Sequence, residues 1–211
     1  MKKATCSVSG NLGILENEIY DSELEIKWLI NEKVHINDPA SLYEIEERIR
    51  EATNRLASRI LALKVQESLD KNEIRDEEKK VIGSVPKKMK NQGVREVNIL
   101  TSFGITITIV ASYFNQANKK DKRRQKRSGI YPGLFLLGIH DRLTPKIASE
   151  ISSIAVIVGS YDEARQVMED KGISVNVKRI SSICKCYAER AKLSARSEGY
   201  QFSETLSAMV R

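Results

Sequence analysis

The segment "REVNILTSFGITITIVASYF", residues 95–114, decides what kind of fold this chain can have. Its apolar residues recur with a period of two. Val94, Val97 and Ile99 lead to the triplet Ser102-Phe103-Gly104, after which Ile105, Ile107 and Ile109 alternate with Thr106 and Thr108. Alternation of this kind predicts a β-hairpin over 93–114, with the isoleucines on one face and the threonines on the other. Gly104 suits the turn because it alone adopts the required backbone angles without a Cβ penalty. An isolated hairpin is marginal in water, so it needs something to pack on, either the long helix upstream or another strand.

That helix is written in "NDPASLYEIEERIREATNRLASRILALKVQESLDKNE", and we assign it to 37–80. Asn37 or Asp38 is placed to cap it, and Pro39 occupies the first helical position, where its missing N–H costs nothing. Leu42, Ile45, Ile49, Ala52, Leu56, Ile60 and Leu63 follow one another in steps of three and four, which puts them on one stripe. The stripe either lies on the chain's own core or forms a homodimer seam with a second copy. Residues 1–36, with Leu24, Ile26, Trp28, Leu29 and Ile30 among acids, have no clean period and are expected to form a loose leader with a weak helix or short strand.

Downstream, the tract Lys119–Arg127 carries seven basic side chains in nine residues. It sits in a basic arm and linker over 115–130, followed by "YPGLFLLGIHDRL", whose Leu134, Phe135, Leu136, Leu137 and Ile139 anchor it to a core. Thr144 and Pro145 open a helix with the stripe Ile147, Ile151, Ile154 and Val158, ended by Gly159. Ser160 and Glu163 form a capping box for a short helix that closes at Gly172, and a third helix follows Ser174. Residues 131–196 thus have the layout of a helix-turn-helix domain. In such a unit the second helix enters the major groove by its N-terminal residues, here Asn176, Lys178, Arg179 and Ser182, with Lys185 further along. Residues 197–211 read as a C-terminal helix opening a further domain. The expected fold class is α+β, mainly α: a long N-terminal helix, one β-hairpin and a C-terminal three-helix bundle.

Charge divides the chain. Residues 1–80 carry 13 Lys/Arg against 17 Asp/Glu, while residues 81–211 carry 22 against 11, so the second half is the one suited to a polyanion. The basic tract, Lys119, Lys120, Lys122, Arg123, Arg124, Lys126 and Arg127, is expected to lie along phosphates and carry little sequence information. Three cysteines, Cys6, Cys184 and Cys186, form no zinc pattern and no disulfide framework, which suits a reducing cytosol. The apolar runs are too short for a bilayer, so a cytoplasmic protein without a membrane partner is expected. Catalysis finds no support. The acids fall on helix faces beside Lys and Arg, His35 and His140 accompany no nucleophile turn, and no phosphate-binding glycine loop is present, so neither a metal nor another cofactor is expected.

The order of these pieces resembles the N-terminal half of bacterial insertion-sequence transposases of the DDE, RNase-H-like class, in the group related to Kra-type and Lre-type elements. Arg95, Val97, Gly104, Ile105, Ile107 and Tyr113 match its hairpin. Leu137, Gly138, Ile139, Arg142, Thr144 and Pro145 match the following linker, and Ser160, Tyr161, Glu163, Ala164, Gly172, Ile173 and Ile180 the helices after it. The resemblance covers residues 40–211 and implies sequence-specific binding of double-stranded DNA at the element's ends, for transposition and DNA recombination. Where relatives place cysteine pairs this chain has Asn115-Gln116 and the basic tract, and the family's catalytic carboxylates would fall beyond Arg211. The implied role is therefore DNA recognition without catalysis, either in a fragment of a transposase or in a separately encoded DNA-binding protein. The competing readings are a stand-alone DNA-binding regulator, or a module that binds RNA or an acidic protein and uses the long helix as an oligomerisation arm. The hairpin offers only Tyr113 and Phe114 for base stacking, which favours DNA over RNA.

Overall fold

The structure, a computed structural model, describes residues 8–35, 38–86, 88–116 and 129–196. The basic tract Lys119–Arg127 and the helix expected over 197–211 lie outside the described residues. Seven helices and one antiparallel two-stranded sheet are present among them: α1 (Val8–Ile30), α2 (Pro39–Asp70), α3 (Asn72–Ser84), β1 (Met89–Leu100), β2 (Thr106–Gln116), α4 (Pro132–Leu136), α5 (Pro145–Val158), α6 (Tyr161–Asp170) and α7 (Val177–Arg196). The α+β, mainly helical class is as the sequence predicts.

Two N-terminal expectations are corrected. The described part of the leader, expected to be loose with a weak helix or short strand, is a continuous 23-residue helix. Leu15, Ser22 and Leu29 on α1 are buried and Leu12, Ile19 and Ile26 half-buried, at steps of three and four that a coating of acids and exposed Trp28 and Ile30 conceals. The long helix is two helices. Lys71 adopts an extended backbone (φ −66°, ψ 138°) and separates α2 from α3, so that Val81 and Val85 turn towards Ile130, Phe135 and Leu136 around α4. At the start of α2 it is Asp38 that caps, its carboxylate accepting the Ala40 amide at 3.1 Å.

The hairpin is longer than the sequence suggests, pairing Met89 with Gln116 at one end and Leu100 with Thr106 at the other. Val97, Ile99, Ile107 and Ile109 turn inward with Ala62, Val65 and Leu69 of α2, Leu134 and Ile139, forming one core. Val94 is exposed, because it is out of phase with Val97 and Ile99 and flanks an irregularity in the pairing between Asn91 and Val94. Removing these apolar side chains from water, at about 25 cal/mol per Å², is what stabilises a hairpin that would be marginal alone. The outer edge of β2 is covered at Val110 and Phe114. Gln66 bonds both backbone groups of Val110, and Phe114 exchanges two hydrogen bonds with Ile130 at 2.8 and 2.9 Å. Between them buried Glu78 accepts from the Ser112 hydroxyl and the Gly133 amide, and burial raises its carboxyl above the usual range.

A second core holds the C-terminal bundle, with Leu143, Ile147, Ile151, Ala155, Ala164, Met168, Ile173, Val175, Ile180 and Ile183 packed together and Leu100 reaching in from the end of β1. Leu134 and Ile139 belong to the hairpin core and Leu143 to the bundle core, so the bundle starts at the end of the linker rather than at residue 131. Thr144 holds the cap position of α5 but makes no capping bond, and its hydroxyl is buried without a partner. Ser160 does cap α6, through the Asp162 amide at 3.3 Å.

Candidate nucleic-acid interface

α6 and α7 are joined by a turn over 171–176, and α5 closes the bundle behind them. Ile180 and Ile183 are buried in the core and Val177 and Cys184 half-buried, which leaves Lys178, Ser182 and Lys185 exposed. Positions i, i+4 and i+7 share one helix face, so these three side chains form a polar, basic line.

Two residues expected to read bases do other work. Asn176 caps α7: its side-chain oxygen accepts the Arg179 amide at 2.9 Å. Arg179 turns back on the chain, donating from Nη2 to the carbonyl oxygens of Asp141 at 2.5 Å and Arg142 at 3.4 Å. Burial lowers its pKa, the Asp141 carboxylate opposing that shift, but a guanidinium stays charged at neutral pH. The same side-chain chemistry that reads a base also caps a helix or binds a carbonyl, and sequence spacing does not separate the two.

The turn that Arg179 grips is unusual. Asp141 (φ 49°) and Arg142 (φ 59°) are the two described non-glycine residues at positive φ, and Leu143 N–H closes the turn on His140 O at 2.9 Å. Consecutive positive φ values are the mark of a type I′ turn, in which an arginine is costly. The surroundings hold it there. Leu100 N–H donates to Arg142 O at 2.9 Å and Thr144 N–H to Leu100 O at 3.1 Å, tying the turn to the end of β1. His140 stacks edge-on with Phe135, ring centroids 5.1 Å apart, and burial lowers its pKa to about 4, with Arg190 adding to the shift. It is neutral at physiological pH.

Between this linker and α7 runs a groove of about 520 Å³, lined on one side by Gly129, Tyr131, His140 and Arg142 and on the other by Ser182 and Lys185. Gly129 and Ile130 are where the chain returns from the basic tract. The departure and the return are both fixed, Gln116 by pairing with Met89 and Ile130 by pairing with Phe114. Gly129 passes so close to the Tyr113 ring that a Cβ there would fall 2.0 Å from the tyrosine hydroxyl oxygen. That ring is in turn held by Arg95, 4.0 Å above it, and by Tyr131 at 5.0 Å. Tyr131, His140 and Arg142 also line this groove and are not among the residues the sequence reading singles out for DNA binding. Their one signal in the sequence is the polar tripeptide His140-Asp141-Arg142 inside an apolar linker.

Among the described residues no group of three His, Cys, Asp or Glu side chains could hold a metal ion. Burial raises the Cys184 thiol, which keeps it protonated. No described helix is long and apolar enough to cross a membrane. Comparison with protein-family models, with curated proteins and with solved structures finds no match to the chain.

Proposed function

We propose that the protein binds double-stranded DNA as the DNA-recognition portion of an insertion-sequence transposase, with no catalysis of its own. The observation that carries this reading is that Gly129, two residues along the chain from a seven-cation tract, and Ser182 and Lys185 of the exposed line on α7 border one groove, in the half of the chain with 22 basic and 11 acidic residues. The tract supplies phosphate contacts that bind any duplex, and α7 supplies groups that meet base edges. Arg179 and Asn176 act as positioning residues, the one holding α7 against the linker and the other ordering its first turn. Cytoplasmic location and a role at the element's ends belong to the same proposal.

The test is a fluorescence titration on terminal-repeat and scrambled duplexes over a salt series. Each neutralised phosphate contributes a slope of about −0.9 in log K against log salt. Replacing the seven basic residues of the tract by serine should flatten the slope by several units and weaken binding to both duplexes alike. Lys178→Ala with Lys185→Ala should remove preference for the terminal repeat, each good base contact discriminating by about 1–3 kcal/mol. Binding that ignores salt, or a tract variant that binds as tightly as the parent, rules the proposal out.

A further inference from the structure

Apart from Ala52 and Leu63, the stripe that marks α2 as amphipathic is not the face that α2 buries in its own fold. Ala62, Val65, Gln66 and Leu69 face the hairpin, while Leu42, Ile49 and Ile60 remain 50%, 47% and 42% exposed, and Ile45, Leu56 and Leu63 half-buried. At 3.6 residues per turn the two sets lie roughly a third of the circumference apart. Against α1 and the turn after it the helix presents arginines and a small residue instead: Arg48 pairs with Glu32 of the turn, Arg55 with Glu25 at 2.5 Å, and Arg59 with Glu18 at 3.8 Å, around fully buried Ala52. With Ala52 buried against α1 and Leu63 packed at the edge of the hairpin core, what the fold leaves uncovered is the flank of the stripe that carries Leu42, Ile49 and Ile60.

We propose that this stripe is the contact between two copies of the chain, packed antiparallel through α2 about a two-fold axis near Ala52 and Thr53. The stripe fits its own reverse. Antiparallel pairing about that axis sets Leu42 against Leu63, Ile45 against Ile60 and Ile49 against Leu56. Charge favours the same arrangement over a parallel one, since residues 42–52 hold four glutamates and two arginines while residues 53–63 hold two arginines and no acid. Steps of three and four residues call for another helix as occupant. Ten of the fourteen large apolar side chains exposed among the described residues lie between Ile14 and Ile60, on α1, α2 and their connection. The proposal does not depend on DNA binding.

Sedimentation velocity of the full chain is expected to give a dimer. Ile49→Asp with Ile60→Asp alters positions that touch solvent in the single chain, so its circular dichroism should match the parent, while the dimer dissociation constant rises by about a hundredfold or more. Thr53→Cys, beside the axis, should form under mild oxidation a disulfide joining two position-53 peptides, identified by mass spectrometry. Lys79→Cys on exposed α3 should form none. A monomeric parent chain, a dimer that survives the double substitution, or cross-linking through position 79 in place of 53 would each overturn the proposal.

Discussion

Gln66, a helical residue, takes both backbone hydrogen bonds of Val110 as a neighbouring strand would: its Nε2 donates to Val110 O at 3.1 Å and its Oε1 accepts the Val110 amide at 2.8 Å. The side chain is fully buried, and Nε2 also donates to Asp70 at 3.2 Å. Val110 lies opposite Glu96 in the hairpin, and its N–H and C=O point away from β1 towards α2.

Replacing Gln66 by alanine strands those two backbone groups where water does not reach. A buried unsatisfied polar group costs about 1–3 kcal/mol, so the variant should unfold about 2–4 kcal/mol more easily in urea. Gln66→Met fills the space without restoring the bonds and should recover only a minor part. Equal stability of Gln66→Ala and the parent would mean that Val110 is satisfied in some other way.

Acid should loosen the linker through His140. Its folded pKa is depressed to about 4 from 6.5, so the native state holds the neutral ring. Stability from this group is fully present above pH 6.5 and is lost as the pH falls through about 4, because the unfolded chain then binds a proton that the folded chain resists. In His140→Phe that component disappears, and the difference in unfolding free energy between parent and variant should shift in the variant's favour between about pH 6.5 and 4. A constant difference across that window would place the imidazole in water.

Gly104 bears on how the two cores are joined. It sits at φ 78° in the hairpin turn, and a Cβ there would approach the carbonyl oxygen of Gly172, in the α6–α7 turn, to 2.9 Å. Both the backbone angle and the contact oppose a side chain, so Gly104→Ala should cost about 1–3 kcal/mol. Thermal unfolding of Gly104→Ala beside Gly13→Ala, where a Cβ meets nothing within 4 Å, separates this local effect from a general loss of glycine.

What the sequence makes legible is what is local. The hairpin is legible because alternation of Ile and Thr fixes both the element and its faces, and Pro39, Pro145 and Gly159 mark helix ends by their own backbone preferences. The face of α2 that is buried is not legible, since Ala62, Val65 and Gln66 owe their burial to strands some forty residues away in the chain. α1 was hidden because Ser22, a small polar residue, occupies the middle of its inward stripe, where it donates to Glu18 O at 3.1 Å. At the site, the exposure of Lys178, Ser182 and Lys185 follows from helical spacing alone. The engagement of Arg179 depends on a turn 37 and 38 residues earlier, and nothing in the spacing around Arg179 announces it.

The sealed edge of β2 has a consequence for the protein under stress. Residues 104–114, "GITITIVASYF", are uncharged, free of proline and rich in β-branched side chains, the composition that stacks into intermolecular sheets when its backbone is bare. In the native state Gln66 and Ile130 occupy that backbone, so the segment is harmless while α2 and the linker stay in place. Heating or mutation that frees the end of α2 first would open a template strand before the hairpin itself melts. Aggregation kinetics should therefore follow the undocking of α2 and not global unfolding, which makes a helix glutamine the gatekeeper of a strand it does not belong to.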